Sequence, residues 1–85
     1  MDSYSLLIKK SAEKELRSVP KRDIQRITSK IKSLRDDPRP SGCEKLSGEE
    51  RYRIRQGDWR IVYEINDERR KITIFKIGHR REVYK

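Results

Sequence analysis

The sequence is poor in the residues from which disulfides and metal sites are built. It contains one cysteine, Cys43, and one histidine, His79, among 85 residues. A lone cysteine cannot form a disulfide within the chain, which indicates a reducing compartment, and we take this to be the cytoplasm. A dedicated zinc site is normally built from several cysteines and histidines, which this sequence does not supply. We therefore expect neither a metal nor any other cofactor.

Long apolar runs are also missing. No run approaches the roughly 18–20 residues of a membrane-spanning helix, and no signal peptide is visible, so we expect no membrane association. Apolar residues make up only 32% of the chain and charged residues 44%, a balance that alone would suit a disordered protein. The apolar residues are nevertheless spaced periodically, which favours a fold. The length predicts a single domain, residues 1–85, with a modest core.

Negative charge is in short supply as well. The chain has 23 lysines and arginines against 14 aspartates and glutamates, a net charge of +9 and a pI near 10.0. The excess is concentrated, because residues 51–60 and residues 76–85 each carry a net +3. The charge alone would therefore suit a nucleic acid, an anionic membrane surface or an acidic protein segment, and of these we do not expect the membrane.

The first half of the chain carries the pattern of one strand and two helices. Tyr4–Ile8 alternates, which predicts a strand. A helix is expected to begin at Ala12, with Ser11 as its cap, and to end at Pro20, which suits the first turn of a second helix. Apolar residues at helical spacing mark the two buried stripes: Ala12, Leu16 and Val19, then Ile24, Ile27, Ile31 and Leu34. The helices should form a hairpin that packs on a sheet.

Three further strands follow a loop over residues 37–50. Alternation predicts them at Arg51–Gln56, Trp59–Asn66 and Lys71–Ile77, with turns at residues 57–58 and 67–70. The predicted order is β-α-α-β-β-β. This is an α+β fold in which an antiparallel sheet carries the two-helix hairpin on one face.

The first of these hairpins brings arginines together. A two-residue turn at Gly57 and Asp58 sets its register, so that Arg55 pairs with Arg60 and Arg53 shares their face of the sheet. Like charges directly across a strand pair are destabilising. A bound polyanion would relieve this repulsion and would use the fork geometry of guanidinium groups. The alternative is a solvated basic surface without a ligand.

The last strand adds an aromatic residue to this surface. Regular pairing places Phe75 beside Val62 and Ile77 beside Arg60, all on the open face. An aromatic ring in that place could stack on an unpaired RNA base. The alternative is that Phe75 packs under a loop or under the C-terminus. This arrangement depends on the register of the two strands, because a slip of one residue changes which groups share a face.

If the anion is RNA and is cleaved, the protein has three tasks. Without a metal it must supply a base, a group that stabilises charge on the phosphate, and an acid for the leaving oxygen. Arginine is a poor base because its pKa exceeds about 12. Tyr84, His79 and the few lysines are the titratable candidates, and Arg80 and Arg81 would favour a Tyr84 phenolate. The alternatives are a frayed end for Tyr84 and a packing role for His79.

Five segments in a fixed order resemble a known family. They are KELRSVPKRDIQRITSKIKSL at residues 14–34, DDPRP at 36–40, EKLSG at 44–48, YRIRQGDWRIVYEI at 52–65 and IFKIGHRREVY at 74–84. Together they resemble the RelE family of bacterial toxins, within the RelE/ParE superfamily, over nearly the whole chain from Tyr4 to Tyr84. The resemblance implies a small α+β fold with two helices against an antiparallel sheet.

The same resemblance implies a function. RelE-like toxins of type II toxin–antitoxin systems enter the ribosomal A site and cleave the mRNA there, which inhibits translation. They do so through attack of a 2′-hydroxyl on the adjacent phosphate, without a metal. The implied partner is a cognate RelB-like antitoxin that neutralises the toxin and joins it in repressing their operon, so that operon DNA is contacted only through the antitoxin.

Site residues follow from the resemblance position by position. Arg60 matches the arginine that stabilises the phosphate, Arg80 matches the arginine of the tail, and Tyr84 matches the tyrosine near the 2′-hydroxyl, so these three are the expected catalytic residues. The expected RNA- or phosphate-binding residues are Arg53, Arg55, Arg81 and Phe75, and the further candidate acid or base is His79.

One departure from the family concerns Arg53 and Arg55, which stand where lysine is common. Arginine there removes two groups that could transfer a proton, so that this work falls to Tyr84 or His79, or the activity is weaker. Two other functions stay open. A ParE-like toxin has a related fold and inhibits DNA gyrase without nuclease activity, and a plain nucleic-acid-binding module would act through counterion release.

Overall fold

The computed structural model describes residues 3–46 and 50–79. Within them the chain forms an α+β fold of two helices and five strands, and the predicted fold class is confirmed. The helices are α1 (Lys10–Arg17) and α2 (Lys21–Ser33). The strands are β1 (Ser5–Ile8), β2 (Glu44–Lys45), β3 (Arg51–Gln56), β4 (Trp59–Asn66) and β5 (Lys71–His79). In the described residues neither helix is long and apolar enough to cross a membrane.

The two helices meet at Pro20, as the sequence predicts. Pro20 has an extended backbone, and its carbonyl accepts hydrogen bonds from the amides of Asp23 and Ile24. A proline is well suited to this place because its ring fixes the backbone angle φ and because it has no N–H group that would need a hydrogen-bond partner. Five residues of the two predicted stripes are buried, with 4% exposure or less at Ala12, Val19, Ile27, Ile31 and Leu34. The other two, Leu16 and Ile24, are partly buried against this core.

Helix α1 begins earlier than expected. It starts at Lys10 rather than Ala12, and Lys9 occupies the N-cap without a side-chain hydrogen bond, so the predicted Ser11 cap was wrong. The Lys9 amide donates to the carbonyl of Ile74 in β5 at 3.1 Å. This hydrogen bond to the sheet fixes the backbone of Lys9, the N-cap residue, although no side chain caps the helix. The chain therefore passes from β1 into α1 after a single residue.

The five strands form one mixed sheet in the order β1-β5-β4-β3-β2. The meander β3-β4-β5 is antiparallel as predicted, whereas β1 lies parallel to β5 at the edge. No turn joins β1 to β5, so no local feature of the sequence sets its direction. The short strand β2 pairs with β3 and was not predicted, because two residues are too few to show alternation.

Pairing between β3 and β4 follows the sequence prediction throughout. Gln56 pairs with Trp59 around the turn at Gly57, and the pairs continue to Tyr52 opposite Tyr63. Gly57 has a positive φ of 62°, the conformation that a tight hairpin turn needs and that glycine adopts without strain. The predicted register of the arginine-bearing hairpin is therefore confirmed.

A β-bulge shifts the register between β4 and β5. On one side of the bulge Tyr63 pairs with Ile74, and on the other Val62 pairs with Lys76. Phe75 is thus the extra residue of the bulge, and its predicted pairing with Val62 was wrong. A bulge of this kind changes the face to which all later residues of the strand point.

The apolar pattern of β5 explains why the bulge is there. Regular alternation from Ile74 would send Lys76 into the core and leave Ile77 beside Arg60, which is the arrangement that the sequence suggested. Instead Ile77 is buried with 1% exposure, and Arg60 pairs with Gly78. The predicted pairing of Arg60 with Ile77 was therefore wrong, because burial of an isoleucine and exclusion of a lysine from the core favour the extra residue.

At one end of the sheet, hydrogen bonds and an ion pair between polar side chains connect the loops to the strands. Arg39 forms an ion pair with Asp67 at 2.9 Å and donates to the Tyr52 hydroxyl at 3.0 Å. Tyr4 donates to Asp67 at 2.7 Å, and Tyr52 donates to Glu50 at 3.1 Å. We call these five residues the Arg39 cluster. Hydrogen bonds from Arg39 and Tyr4 hold the pKa of Asp67 below its ordinary value of 3.8.

The proline-rich loop is also tied to the core. The hydroxyl of Tyr63 donates to the carbonyl of Pro38 at 2.7 Å, and the Tyr63 ring stacks on Tyr52. Burial raises the pKa of the Tyr63 phenol well above its ordinary value. The segment that reads as loop in the sequence is therefore held in place by contacts with β3 and β4.

Candidate functional site

One face of the sheet carries a group of arginines. Residues of β3 and β4 that alternate with the buried isoleucines and tyrosines point away from the two helices. The register places Arg55 opposite Arg60 and Arg53 opposite Val62, with Arg51 two residues before Arg53 on β3. We call this surface the arginine face, and its cations are Arg51, Arg53, Arg55 and Arg60.

Arg60 differs from its neighbours in being covered. It is 5% exposed, and it is the charged residue that is buried within the described part of the chain. Its Nη1 donates to the carbonyl of Trp59 at 3.4 Å. Since arginine stays charged at all relevant pH values, the structure holds a fixed positive charge at this point of the sheet. A cation shielded from water acts on a nearby anion more strongly than one in bulk solvent.

Arg53 and Arg55 share a carboxylate from β2. Glu44 pairs with Arg53 in the sheet, and its Oε2 lies 3.2 Å from Arg53 Nη2. The other oxygen of Glu44 lies 4.0 Å from Arg55 Nη2. One carboxylate therefore spans the two arginines, and the short strand β2 is what brings it there.

Phe75 lies on the same side as the arginines. The Lys9 ammonium is 4.5 Å from the centre of its ring, and the Arg51 guanidinium carbon is 4.2 Å away. Arg51 is also 3.8 Å from Glu64, its partner across the strands. The bulge thus presents an aromatic ring that carries two cations, an arrangement stabilised by attraction to the ring electrons.

His79 lies with Trp59 rather than with the arginines. The two residues pair across β4 and β5, and their rings meet edge to face with centroids 5.7 Å apart. The Trp59 indole donates to Asp23 of α2 at 3.2 Å. This contact places the pair on the helix side of the sheet, so the structure does not bring His79 together with Arg60.

Three of the expected site residues lie outside the described residues. They are Arg80, Arg81 and Tyr84. Of the expected set, the structure places Arg53, Arg55 and Arg60 on one face of β3 and β4, and Phe75 contacts Arg51 of that face. Their roles stay predictions.

Sequence reasoning did not single out Glu44, Arg51 or Lys9 as parts of this surface. Arg51 continues the alternation of Arg53 and Arg55 and could have been included on that ground. Glu44 and Lys9 gave no such signal, because their positions depend on the two-residue strand β2 and on the parallel strand β1.

Comparison with known proteins assigns the chain to a family. Residues 6–84 match the family model described as the ParE toxin of type II toxin–antitoxin systems, parDE. The chain belongs to the RelE/ParE superfamily. It is thus a toxin of a type II toxin–antitoxin system, and the resemblance to this superfamily seen in the sequence is confirmed.

Individual relatives of this toxin carry RelE names. It is 30% identical to the toxin RelE1 of Methanocaldococcus jannaschii over 86 residues, which cover 96% of each chain. Its fold matches archaeal RelE of Pyrococcus horikoshii, solved in complex with RelB, with a TM-score of 0.81 and 29% identity over 94% of this chain and 98% of that one.

A structure without an antitoxin gives the same result. The isolated RelE toxin of E. coli matches with a TM-score of 0.80 and 28% identity, over 96% of this chain and 92% of that one. The mixed sheet with two helices is therefore the fold of solved RelE toxins, both alone and in complex.

Proposed function

We propose that this toxin is a ribosome-dependent endoribonuclease that cleaves mRNA in the A site and so inhibits translation. The observation that carries the proposal is the pairing of Arg55 with Arg60, beside Arg53, on the sheet face away from the helices. Packing does not require two arginines to lie opposite each other, and their mutual repulsion costs stability. A phosphodiester backbone supplies the negative charge that suits such a surface.

In the proposed reaction the arginines bind and stabilise the phosphates, and a titratable residue transfers the proton. Arg53 and Arg55 hold the phosphates that flank the cleavage site, with Arg81 as a further contact. Arg60 stabilises the charge that develops on the attacked phosphate, a task for which a fixed and shielded cation is suited. Arg80 shares that task.

Proton transfer is assigned to Tyr84. No arginine can take the proton of the 2′-hydroxyl, because a guanidinium does not titrate in the accessible pH range. His79 is disfavoured as the acid or base, since its ring packs against Trp59. The attack of the 2′-oxygen on phosphorus breaks the bond to the 5′-oxygen and leaves a 2′,3′-cyclic phosphate, and the leaving 5′-oxygen takes up a proton from solvent to become a 5′-hydroxyl. The proposed steps use no metal or cofactor.

A RelB-like antitoxin is the proposed protein partner. RelE toxins of Pyrococcus horikoshii and Methanococcus jannaschii were solved in complex with RelB. For this toxin we expect an acidic segment that orders as it covers the arginine face. Ribosome and mRNA are the proposed targets in the cytoplasm, and operon DNA would be contacted only through the antitoxin.

A second function is favoured by one observation. The matching family model is that of ParE, and a ParE-like toxin would inhibit DNA gyrase without cutting RNA. The RelE names of the relatives and the arginine hairpin favour the nuclease instead.

Two assays on the pure toxin separate these functions. In the first, mRNA ends are mapped on translating ribosomes, and new ends at A-site codons are expected. In the second, gyrase supercoiling is measured with stoichiometric toxin, and no inhibition is expected. Intact mRNA together with inhibited gyrase would reverse the proposal.

A further inference from the structure

Strand β2 consists of two residues, and one of them connects two arginines of the proposed site. Glu44 lies opposite Arg53 in the sheet, so the backbone pairing fixes where its side chain begins. Its two oxygens then lie 3.2 Å from Arg53 and 4.0 Å from Arg55. Neither the family assignment nor the charge pattern of the sequence gives this residue a role.

The two arginines are held to different degrees. The Arg53 side chain is 15% exposed and has the shorter contact with Glu44, whereas the Arg55 side chain is 58% exposed and has the longer one. Glu44 itself is half exposed. The ion pair with Arg53 is therefore the firmer of the two, and the one with Arg55 is open to exchange with solvent and solutes.

We infer that Glu44 is a positioning residue for RNA binding, an internal carboxylate that orients Arg53 and Arg55 and is displaced from Arg55 by an RNA phosphate. Carboxylate and phosphate offer a guanidinium the same pair of acceptor oxygens. A side chain that holds the arginines in that geometry prepares them for phosphate, and it also competes with phosphate. The inference deepens the proposed function and depends on it.

These two effects act on different measured quantities. Competition weakens RNA binding in the wild-type protein, because the phosphate must replace a carboxylate. Orientation raises the rate of the bound complex, because correctly placed groups need no rearrangement during the reaction. Removal of the Glu44 charge should therefore tighten binding and slow cleavage at the same time, which mere loss of stability would not do.

The test compares Glu44→Gln with two matched variants. Glu44→Asp keeps the charge on a shorter side chain. Glu13→Gln makes the same change in net charge on α1, where Glu13 pairs with Arg17 at 2.6 Å on an exposed surface away from the arginine face. Thermal unfolding of each protein is recorded first, so that every comparison is made between folded proteins.

Binding is measured by fluorescence anisotropy with a short single-stranded RNA made uncleavable by 2′-O-methyl groups. Cleavage is measured at saturating toxin on ribosomes that carry a defined mRNA. Glu44→Gln should bind the RNA about fivefold more tightly, the most that an exposed ion pair is worth. It should cleave about threefold more slowly, as expected for arginines that must be reoriented. Glu44→Asp should lie near the wild type, and Glu13→Gln should change neither quantity.

Three results would overturn the inference. Equal tightening by Glu44→Gln and Glu13→Gln would show an effect of net charge alone. Weaker RNA binding by folded Glu44→Gln would show that Glu44 does not compete with phosphate. A rate loss of about 100-fold or more, the scale of removing a general base, would make Glu44 a proton-transfer group instead. If wild-type toxin itself leaves mRNA intact, the proposed function fails, and this outcome differs from all three.

Discussion

The Arg39 cluster and the arginine face both combine arginines, carboxylates and aromatic rings, yet their charge balance differs. In the cluster the two carboxylates, those of Asp67 and Glu50, are balanced by two cations, because Arg39 lies near both and Lys45 pairs with Glu50 at 3.2 Å. On the arginine face, within the described residues, the two carboxylates of Glu44 and Glu64 lie near Arg51, Arg53 and Arg55, and Arg60 adds a fourth guanidinium opposite Arg55. The difference teaches that the local ratio of acids to bases, and not the presence of arginine, separates a structural contact from a candidate anion-binding surface.

The largest expected effect comes from the arginine face. Arg60→Ala should lower the rate of mRNA cleavage on ribosomes by about 100-fold or more, the scale of losing a group that stabilises charge in the transition state. Ribosome binding should fall much less. Arg60→Lys is the control, because it keeps the charge and loses the planar fork, and it should give an intermediate rate. Wild-type cleavage by folded Arg60→Ala would contradict the assigned role.

The Arg39 cluster should show the opposite result, a loss of stability without a loss of cleavage. Arg39→Ala should lower the free energy of unfolding by about 1–2 kcal/mol, because it removes hydrogen bonds to Asp67 and Tyr52 whose strength is reduced by solvent. The folded variant should cleave mRNA at the wild-type rate. Urea unfolding and the ribosome assay measure the two quantities. A folded Arg39→Ala protein that does not cleave would remove the distinction between the two regions.

The Arg39 cluster should also make stability depend on acid pH. The pKa of Asp67 in the folded protein lies below its ordinary value of 3.8, so its contribution is complete above that value and is lost as the pH falls through the folded pKa. Asp67→Asn should therefore be less stable than wild type at neutral pH, and the difference should shrink below about pH 4. Unfolding curves of both proteins from pH 2 to pH 7 test this. A difference that is constant with pH would contradict it.

The smallest expected effect concerns Phe75. With Lys9 and Arg51 over its ring, we expect the ring to hold these cations in place for RNA. Phe75→Leu should weaken binding of single-stranded RNA about twofold to threefold, as for an exposed cation–π contact, and Phe75→Tyr should bind like wild type. A loss of about tenfold or more would indicate direct stacking on a base, which is the interpretation that the sequence suggested.

Features of the fold that depend on residues close together in the chain were predicted, whereas features that depend on distant residues were not. The β3–β4 hairpin was predicted with its bounds and register, because a two-residue turn and strict alternation over Arg51–Gln56 and Trp59–Asn66 leave few choices. The direction of β1 could not be predicted, since its partner lies about 66 residues away in the chain. The bulge was missed because its one sign in the sequence is the spacing of Ile74 and Ile77, two apolar residues that regular alternation would place on opposite faces.

The candidate site was predictable to the same extent. The arginine pairs on β3 and β4 follow from the hairpin, and the structure has Arg53, Arg55 and Arg60 on one face. Glu44 was missed, because a strand of two residues leaves no periodic signal. The burial of Arg60 was also missed, because alternation assigns a residue to a face but does not say what covers that face.

We propose that the arginine face serves RNA cleavage through a 2′-hydroxyl. This role is tested most directly with ribosomes programmed with two mRNAs that differ only by a 2′-deoxy group at the nucleotide before the scissile phosphate. Wild-type toxin should cut the ribose mRNA, leave a 2′,3′-cyclic phosphate and spare the deoxy mRNA. An uncut ribose mRNA, or equal cutting of both mRNAs, would contradict this role of the arginine face.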